Sequence, residues 1–197
     1  MAITTFTEEH TSPISASRIF MASIIDSHNL IPELMPHLIE SIEFLQGDGG
    51  PGTIKKINYA EGNNFKSVKH RIDELSLETL TYKYTLIEAD TLVENLQNVT
   101  YEIKLEKLPN GGTNSKVTTK YYTNDDIILK EEQIRAGKER VYWIFKAVEA
   151  YLILNPEAYA CSDEEKGEIM KASFKPLKMK NAMYYYVNLP YNKLFLD

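Results

Sequence analysis

The residues best able to move protons are His70, Tyr82 and Tyr84, which lie on short segments of alternating apolar and polar residues. Imidazole titrates near neutral pH, and a phenol can donate a hydrogen bond to a developing oxyanion. Lys55 lies on another segment of the same kind. These four side chains are therefore the candidate catalytic residues of an acid/base site.

Other catalytic and metal-binding patterns are missing from the sequence. There is no G-x-S-x-G motif, and the single cysteine, Cys161, follows the last long helical segment. The four histidines show neither H-E-x-x-H nor close spacing to the cysteine. We therefore expect no metal and no cofactor.

A glycine-rich loop at residues 47–52 (GDGGPG) matches G-x-G-x-x-G. The dinucleotide-binding version needs a helix after the loop to receive the pyrophosphate, whereas the residues that follow, TIKKI, are typical of a strand. A kinase loop lies between strands, but the chain contains neither H-R-D nor D-F-G. We interpret the loop as a hairpin connection that needs glycine for positive φ, with phosphate binding as the alternative.

Alternation with a period of two predicts seven strands, most of them joined as hairpins. The clearest strand places Val99, Tyr101, Ile103 and Leu105 on one side. The strands are expected near residues 3–11, 40–46, 53–60, 65–74, 79–88, 99–106 and 115–122.

Three segments have helical patterns. The first runs from Ser15, a plausible N-cap, to Asp26, and a shorter one ends near Pro36. Residues 130–154 carry apolar side chains at three-, four- and seven-residue spacing, which predicts one long amphipathic helix. The predicted fold class is α+β, with a seven-stranded antiparallel sheet wrapped around the long C-terminal helix.

The same alternation predicts which strand residues face the interior. Tyr82 and Tyr84 share a side with Leu80 and Leu86, and His70 shares a side with Val68 and Ile72. Lys55, Ile57 and Tyr59 form a third inward row. Polar groups inside an apolar chamber indicate either a ligand pocket or polar tips that reach out of an ordinary core. In the pocket interpretation the polar lining is Lys55, His70, Tyr82, Tyr84, Tyr101 and Gln133.

Several segments resemble one plant protein family. The glycine loop with its following strand, residues 69–74 (KHRIDE), 82–88 (YKYTLIE) and 146–152 (KAVEAYL) are each similar to segments of the pathogenesis-related class ten and birch-pollen-allergen (Bet v 1-like) family. The resemblance covers residues 1–160. It implies two short helices in a V that support the long helix over a large hydrophobic cavity, the helix-grip fold.

The resemblance also implies ligand-contacting positions, namely Lys55, Phe65, Tyr82, Tyr84, Tyr101, Gln133 and Gly137. Two departures make the interior more basic: His70 replaces a residue that is commonly acidic in the birch-allergen branch, and Arg140 replaces a methionine. Both favour an acidic or phenolic ligand, although Arg140 could instead point outward.

The function implied is binding and carriage of small, largely apolar plant metabolites (phenolics, cytokinins, flavonoids or steroids) in plant defence or secondary metabolism. An enzyme of specialised metabolism that catalyses condensation or isomerisation in the same cavity is the alternative. Ribonuclease activity ranks third: Lys55, Glu149 and Tyr151 match the proposed residues, but Gln97 stands where a glutamate is expected.

Composition limits the remaining classes. The net charge of −6 repels phosphate backbones, so we expect no nucleic-acid partner. The sequence has no long apolar run and no export signal, and its single cysteine suits a reducing compartment, so we expect a cytoplasmic protein with no membrane association.

Residues 161–197 extend beyond the family pattern. Ser162 and the three acidic residues after it resemble the start of a helix. The methionines and tyrosines predict that the extension docks on the domain as a lid or on a neighbouring chain as an oligomerisation arm. The chain is thus divided into a ligand-binding domain, residues 1–160, and the C-terminal extension.

Overall fold

The computed structural model describes residues 2–63, 66–89, 96–124, 129 and 131–160. Within these residues the chain forms a seven-stranded antiparallel sheet with one long and two short helices, which confirms the predicted α+β fold. The strands are β1 (Ala2–Ser12), β2 (Ile39–Gln46), β3 (Ile54–Tyr59), β4 (Ser67–Ser76), β5 (Thr81–Ala89), β6 (Leu96–Lys107) and β7 (Thr113–Thr123). The helices are α1 (Ala16–Phe20), α2 (Ser27–Leu34) and α3 (Glu131–Leu154), with a π-helical segment (Met21–Ile25) between α1 and α2. The C-terminal extension lies outside the described residues.

The sheet has the strand order β1-β7-β6-β5-β4-β3-β2, and every neighbouring pair is antiparallel. The first two strands, β1 and β2, thus lie at opposite edges of the sheet. The chain between them forms α1, the π-helical segment and α2. Burial alternates strictly along β7, as a sheet with one covered face requires. The inner face of the sheet is directed at α3.

The first predicted helix, residues 15–26, is only partly α-helical. The Asp26 amide donates to the Met21 carbonyl at 2.9 Å, a bond that reaches back five residues and marks the π-helical segment. The Ser23 hydroxyl donates to the Ile19 carbonyl at 2.7 Å and so competes with the backbone for that acceptor. Ser15 is the N-cap residue of α1, as predicted, but its side chain makes no capping hydrogen bond.

The buried apolar side chains of the described residues form three clusters, which are connected by partly buried side chains. The largest joins the π-helical segment to Val148 and Leu152 at the end of α3. A second packs Trp143 and Ile144 against the strands that follow α2, and a third surrounds Tyr121. The three clusters meet through side chains that are only partly buried, as expected where a domain encloses an interior space.

The C-terminal end of α3 is held by Arg18 and Tyr159. The Arg18 guanidinium donates to the carbonyls of Leu152, Asn155 and Ala158 at 2.8–3.1 Å. The Tyr159 hydroxyl donates to the Asp26 carboxylate at 2.5 Å. A cation on the last carbonyls of a helix also complements the helix dipole. These bonds fix α3 against the short helices.

The glycine-rich loop connects β2 to β3, with no helix after it. Gly47 has φ of +87°, and a β-carbon there would lie 2.5 Å from the Thr53 hydroxyl oxygen. Glycine is therefore required at this position by backbone conformation and by space. This agrees with the interpretation of the loop as a hairpin connection.

Candidate functional site

A cavity of about 300 Å³ lies between the inner face of the sheet, the short helices and α3. Its volume is at the lower end of the range for ligand pockets, and its wall is mostly isoleucine, leucine and valine. No carboxylate of the described residues lines it. The polar side chains in the wall are Ser23, Ser27, Lys55, Tyr59, His70, Tyr82, Tyr84, Tyr101, Tyr121 and Arg140.

Lys55 is a buried cation in this wall, with 5% of its surface exposed. Its Nζ donates to the Ser27 hydroxyl at 3.1 Å and lies 5.3 Å from the centre of the Phe44 ring. Among the described residues it forms no ion pair. Burial lowers the pKa of Lys55 to about 8, because desolvation disfavours the charged form.

His70, Tyr84 and Tyr101 form a column of stacked rings on three adjacent strands. The ring centres of His70 and Tyr84 are 4.6 Å apart, and so are those of Tyr84 and Tyr101. Burial, and secondly the charge of Lys55, lowers the pKa of His70 to about 3, so the imidazole is neutral at pH 7. The column is a rigid aromatic wall with a neutral histidine at one end.

The tyrosine hydroxyls of the wall stay protonated at neutral pH. Burial raises the pKa of Tyr82 and of Tyr101 above the ordinary value, and it raises the pKa of Tyr121 to about 12. Burial and the neighbouring tyrosines also raise the pKa of Tyr84. These groups can donate hydrogen bonds to a ligand but cannot act as bases at pH 7.

Arg140, on α3, lines the cavity next to Tyr59. Its Cζ lies 4.9 Å from the centre of the Tyr59 ring, and its Nη1 is 3.5 Å from the tyrosine hydroxyl. This geometry corresponds to a cation stacked on an aromatic face. The structure therefore favours the inward orientation of Arg140 over the outward one.

The structure brings most of the sequence-predicted ligand residues into one wall. Phe65 lies outside the described residues, and Gln133 belongs to α3 but has no described side chain. The residues that line the cavity as expected are Lys55, Tyr59, His70, Tyr82, Tyr84, Tyr101, Gly137 and Arg140.

Sequence reasoning missed three polar residues of the wall. Tyr121 could have been found from the alternation along β7, which places it on the inner face. Ser23 and Ser27 face the cavity from the π-helical segment and α2, and no sequence pattern distinguishes them from surface serines.

The residues matched to ribonuclease activity do not meet in the cavity. Lys55 lines it, but Glu149 is buried elsewhere, in an ion pair with Lys146 at 2.7 Å, and Tyr151 packs against the largest apolar cluster. Over the ranges the structure describes, no three histidine, cysteine or acidic residues are grouped as a metal site would need. No helix in those ranges is long and apolar enough to span a membrane.

The comparisons with known proteins agree with this architecture. The model of the pathogenesis-related protein Bet v 1 family matches residues 1–155. The chain is 46% identical over 159 residues to the major allergen Pru ar 1 of Prunus armeniaca, a match that spans 81% of this chain and 99% of that protein. It is also 46% identical over 159 residues to the strawberry allergen Fra a 1-B of Fragaria ananassa, with the same coverage of both chains.

Solved structures show the same fold. The crystal structure of Ara h 8.0201 has a TM-score of 0.72 and 38% identity, and the match covers 78% of this chain and all of that one. Norcoclaurine synthase from Thalictrum flavum has a TM-score of 0.65 at 19% identity, with 78% of this chain and 88% of the enzyme covered, a likeness of fold alone. On its matched residues and its fold, this chain belongs to the pathogenesis-related protein Bet v 1 family.

Proposed function

We propose that this protein reversibly binds a small, largely apolar plant metabolite in the cavity and carries it unchanged within the cell. The observation that carries the proposal is the cavity itself, about 300 Å³ of mostly apolar space with placed polar groups in its wall. Phenolics, cytokinins, flavonoids and steroids are the ligand classes we propose, in a defence or secondary-metabolism setting.

The state of the polar groups supports carriage. An ordinary core satisfies its buried polar atoms internally, whereas the Lys55 ammonium, which has three donors, makes one hydrogen bond to the described residues. Across the physiological pH range His70 stays neutral, because its pKa is about 3. The tyrosines stay protonated, because their pKa values are raised. Such groups orient a ligand by hydrogen bonds and exchange few protons with it.

A fluorescence titration tests this proposal. The neutral apolar probe N-phenylnaphthylamine should brighten on binding to the purified protein, and metabolites of the proposed classes should displace it. Chromatography after the incubation should recover each metabolite unchanged. A protein that brightens no probe and binds no metabolite would contradict carriage and any enzymatic use of the cavity.

An enzyme acting on a similar metabolite is the second candidate, and the observation in its favour is Lys55. A general acid or base works best when its pKa is near the working pH, and the pKa of Lys55 is about 8. His70 is less suited, because its low pKa makes it a weak base and keeps it from carrying a proton at pH 7.

The two candidates differ in the effect of Lys55→Met. If Lys55 transfers a proton, the variant should lose turnover of a converted metabolite while it still binds the neutral probe. Lys56→Met, on the next position of β3 and outside the cavity wall, is the matched control and should keep both properties. Recovery of every metabolite unchanged from the wild-type protein would remove the enzyme from consideration.

A further inference from the structure

Lys55 and His70 are direct partners across the β3–β4 pair, and both line the cavity. Directly opposed residues on one face of a sheet have β-carbons about 5 Å apart, so their polar groups can reach one ligand group together. The Lys55 ammonium repels any second positive charge, and no carboxylate of the described residues lines the cavity to balance it. Lys55 therefore gives this part of a mostly apolar wall a positive potential, with Arg140 on α3 as the other cation of the lining.

Both residues have donors that the described residues leave unused. Lys55 Nζ makes one hydrogen bond, to Ser27 at 3.1 Å, and an ammonium has three donors. The His70 ring stacks on Tyr84 at 4.6 Å but forms no hydrogen bond with the described residues. A neutral imidazole still has one N–H donor. Two different kinds of N–H donor therefore lie on paired residues of β3 and β4 in the cavity wall.

We infer that Lys55 and His70 form a clamp for the carboxylate of an apolar carboxylic acid, with one oxygen on the ammonium and the other on the imidazole N–H. The inference rests on the proposed function and narrows its ligand class. A carboxylate has two acceptor oxygens for the two donors, and charge-assisted bonds of this kind are stronger than neutral ones. A phenol is the weaker match, because it has one oxygen and at pH 7 it keeps its proton.

The clamp makes ligand binding depend on pH. The other titratable groups that face the pair do not change charge between pH 7 and 9. Burial raises the pKa of each tyrosine and lowers the pKa of His28. An arginine side chain is charged throughout this range. Those groups are His28 on α2, Tyr59 on β3, Tyr82 and Tyr84 on β5, Tyr101 on β6, Tyr121 on β7 and Arg140 on α3. Lys55 is therefore the group that titrates in this window.

The size of the effect follows from the pKa of Lys55 in the free protein. With a pKa of about 8, the ammonium is about nine-tenths charged at pH 7 and about one-tenth charged at pH 9. A bound carboxylate stabilises the charged form, so carboxylate affinity should fall about tenfold from pH 7 to pH 9. Binding at pH 8 should take up about half a proton from the solvent.

A matched pair of ligands tests the clamp: naphthoate and its neutral isostere naphthamide, titrated calorimetrically in buffers of different ionisation enthalpy. We expect naphthoate to bind tighter than naphthamide at pH 7. The tenfold fall in affinity from pH 7 to pH 9 and the proton uptake at pH 8 should be seen for naphthoate alone. These measurements use the wild-type chain and need no variant to fold. Equal affinities for the two ligands, or a naphthoate affinity that does not change from pH 7 to 9, would overturn the clamp.

Variants then separate the two donors. Lys55→Met should remove the preference for naphthoate and its pH dependence, whereas the control Lys56→Met should keep both. His70→Phe should lower naphthoate affinity about tenfold, the effect of one lost hydrogen bond to a charged group, and leave the pH profile in place. His70→Gln retains a donor and should bind naphthoate nearly as the wild type does.

The neutral probe N-phenylnaphthylamine distinguishes failure of the clamp from failure of the proposed function. If the probe binds and naphthoate shows no advantage over naphthamide, the cavity binds ligands but the clamp is wrong. If the probe and naphthoate both fail to bind, the proposed function and the clamp are both wrong.

Discussion

Replacing Lys55 with methionine should stabilise the protein at neutral pH, because the lysine is charged in a place where desolvation disfavours charge. Its pKa falls from 10.5 to about 8, which corresponds to about 3 kcal/mol at about 1.36 kcal/mol per pKa unit. The folded protein binds this proton more weakly than the unfolded chain does. The charge therefore destabilises the folded state fully below pH 8, less between pH 8 and 10.5, and not above.

Urea unfolding of the wild type and of Lys55→Met, followed by fluorescence of the single tryptophan, Trp143, measures this difference. We expect the variant to be more stable by about 3 kcal/mol at pH 7, with the difference declining to about 1 kcal/mol at pH 10. The stability of the control Lys56→Met relative to the wild type should not depend on pH in this way. Other titrating groups are the same in both proteins, so their contributions cancel in the difference. A variant that is less stable than the wild type at pH 7, by an amount independent of pH, would refute the reasoning.

Three further predictions concern the cavity wall and the contacts at the C-terminal end of α3. Gly137→Leu should raise the free energy of unfolding by about 1 kcal/mol through helix propensity. It should also weaken N-phenylnaphthylamine binding at least tenfold, because Gly137 lines the cavity and a β-carbon there meets no atom within 4 Å, so the leucine side chain would occupy cavity space. Unchanged probe affinity would contradict this prediction. His70→Gln should be more stable than the wild type by about 3 kcal/mol at pH 4 and equal to it above pH 7. The reason is that His70 has a low pKa in the folded protein, so at acid pH the unfolded chain binds the proton more tightly. Stability curves of the two proteins that run parallel against pH would contradict this prediction. Arg18→Ala should lower the free energy of unfolding by about 2 kcal/mol or more, because one carbonyl in the last turn of α3 and two in the residues that follow it lose their donor. A change below about 0.5 kcal/mol would show that the bonds contribute little.

The sheet and the inward rows could be predicted because alternation leaves a strong trace in the sequence. Along β7, residues of one parity are buried, and a shift of one position would expose them all. The same rule placed His70 and the tyrosines of β5 on the inner side. It does not predict that Thr81 and Thr85, on the outer side of β5, are also buried. Thr85 is covered there by its hydrogen bond to Asp73 at 2.5 Å, a contact between strands that periodicity does not report.

The helical part of the wall could not be predicted in the same way. Whether residues 21–25 close a π-turn or an α-turn depends on which carbonyl each amide selects, and the sequence has no pattern for that choice. One additional residue in a helical turn rotates the side-chain directions of the residues that follow by about 100° around the helix axis. The direction of Ser27, and with it the hydrogen bond to Lys55, therefore depends on a local detail of the backbone. The cavity volume likewise depends on side-chain packing between α3 and the sheet.

Ligand-induced shifts of isotope-labelled tyrosines in an NMR titration test the central claim, that the cavity binds the ligand, most directly. On addition of N-phenylnaphthylamine, the tyrosines of the cavity wall should shift in proportion to occupancy. Tyr122 lies on β7 outside the wall, and its signal should stay in place. The signals expected to move are those of Tyr59, Tyr82, Tyr84, Tyr101 and Tyr121. Probe binding that shifts Tyr122 and leaves the wall tyrosines unchanged would contradict the account.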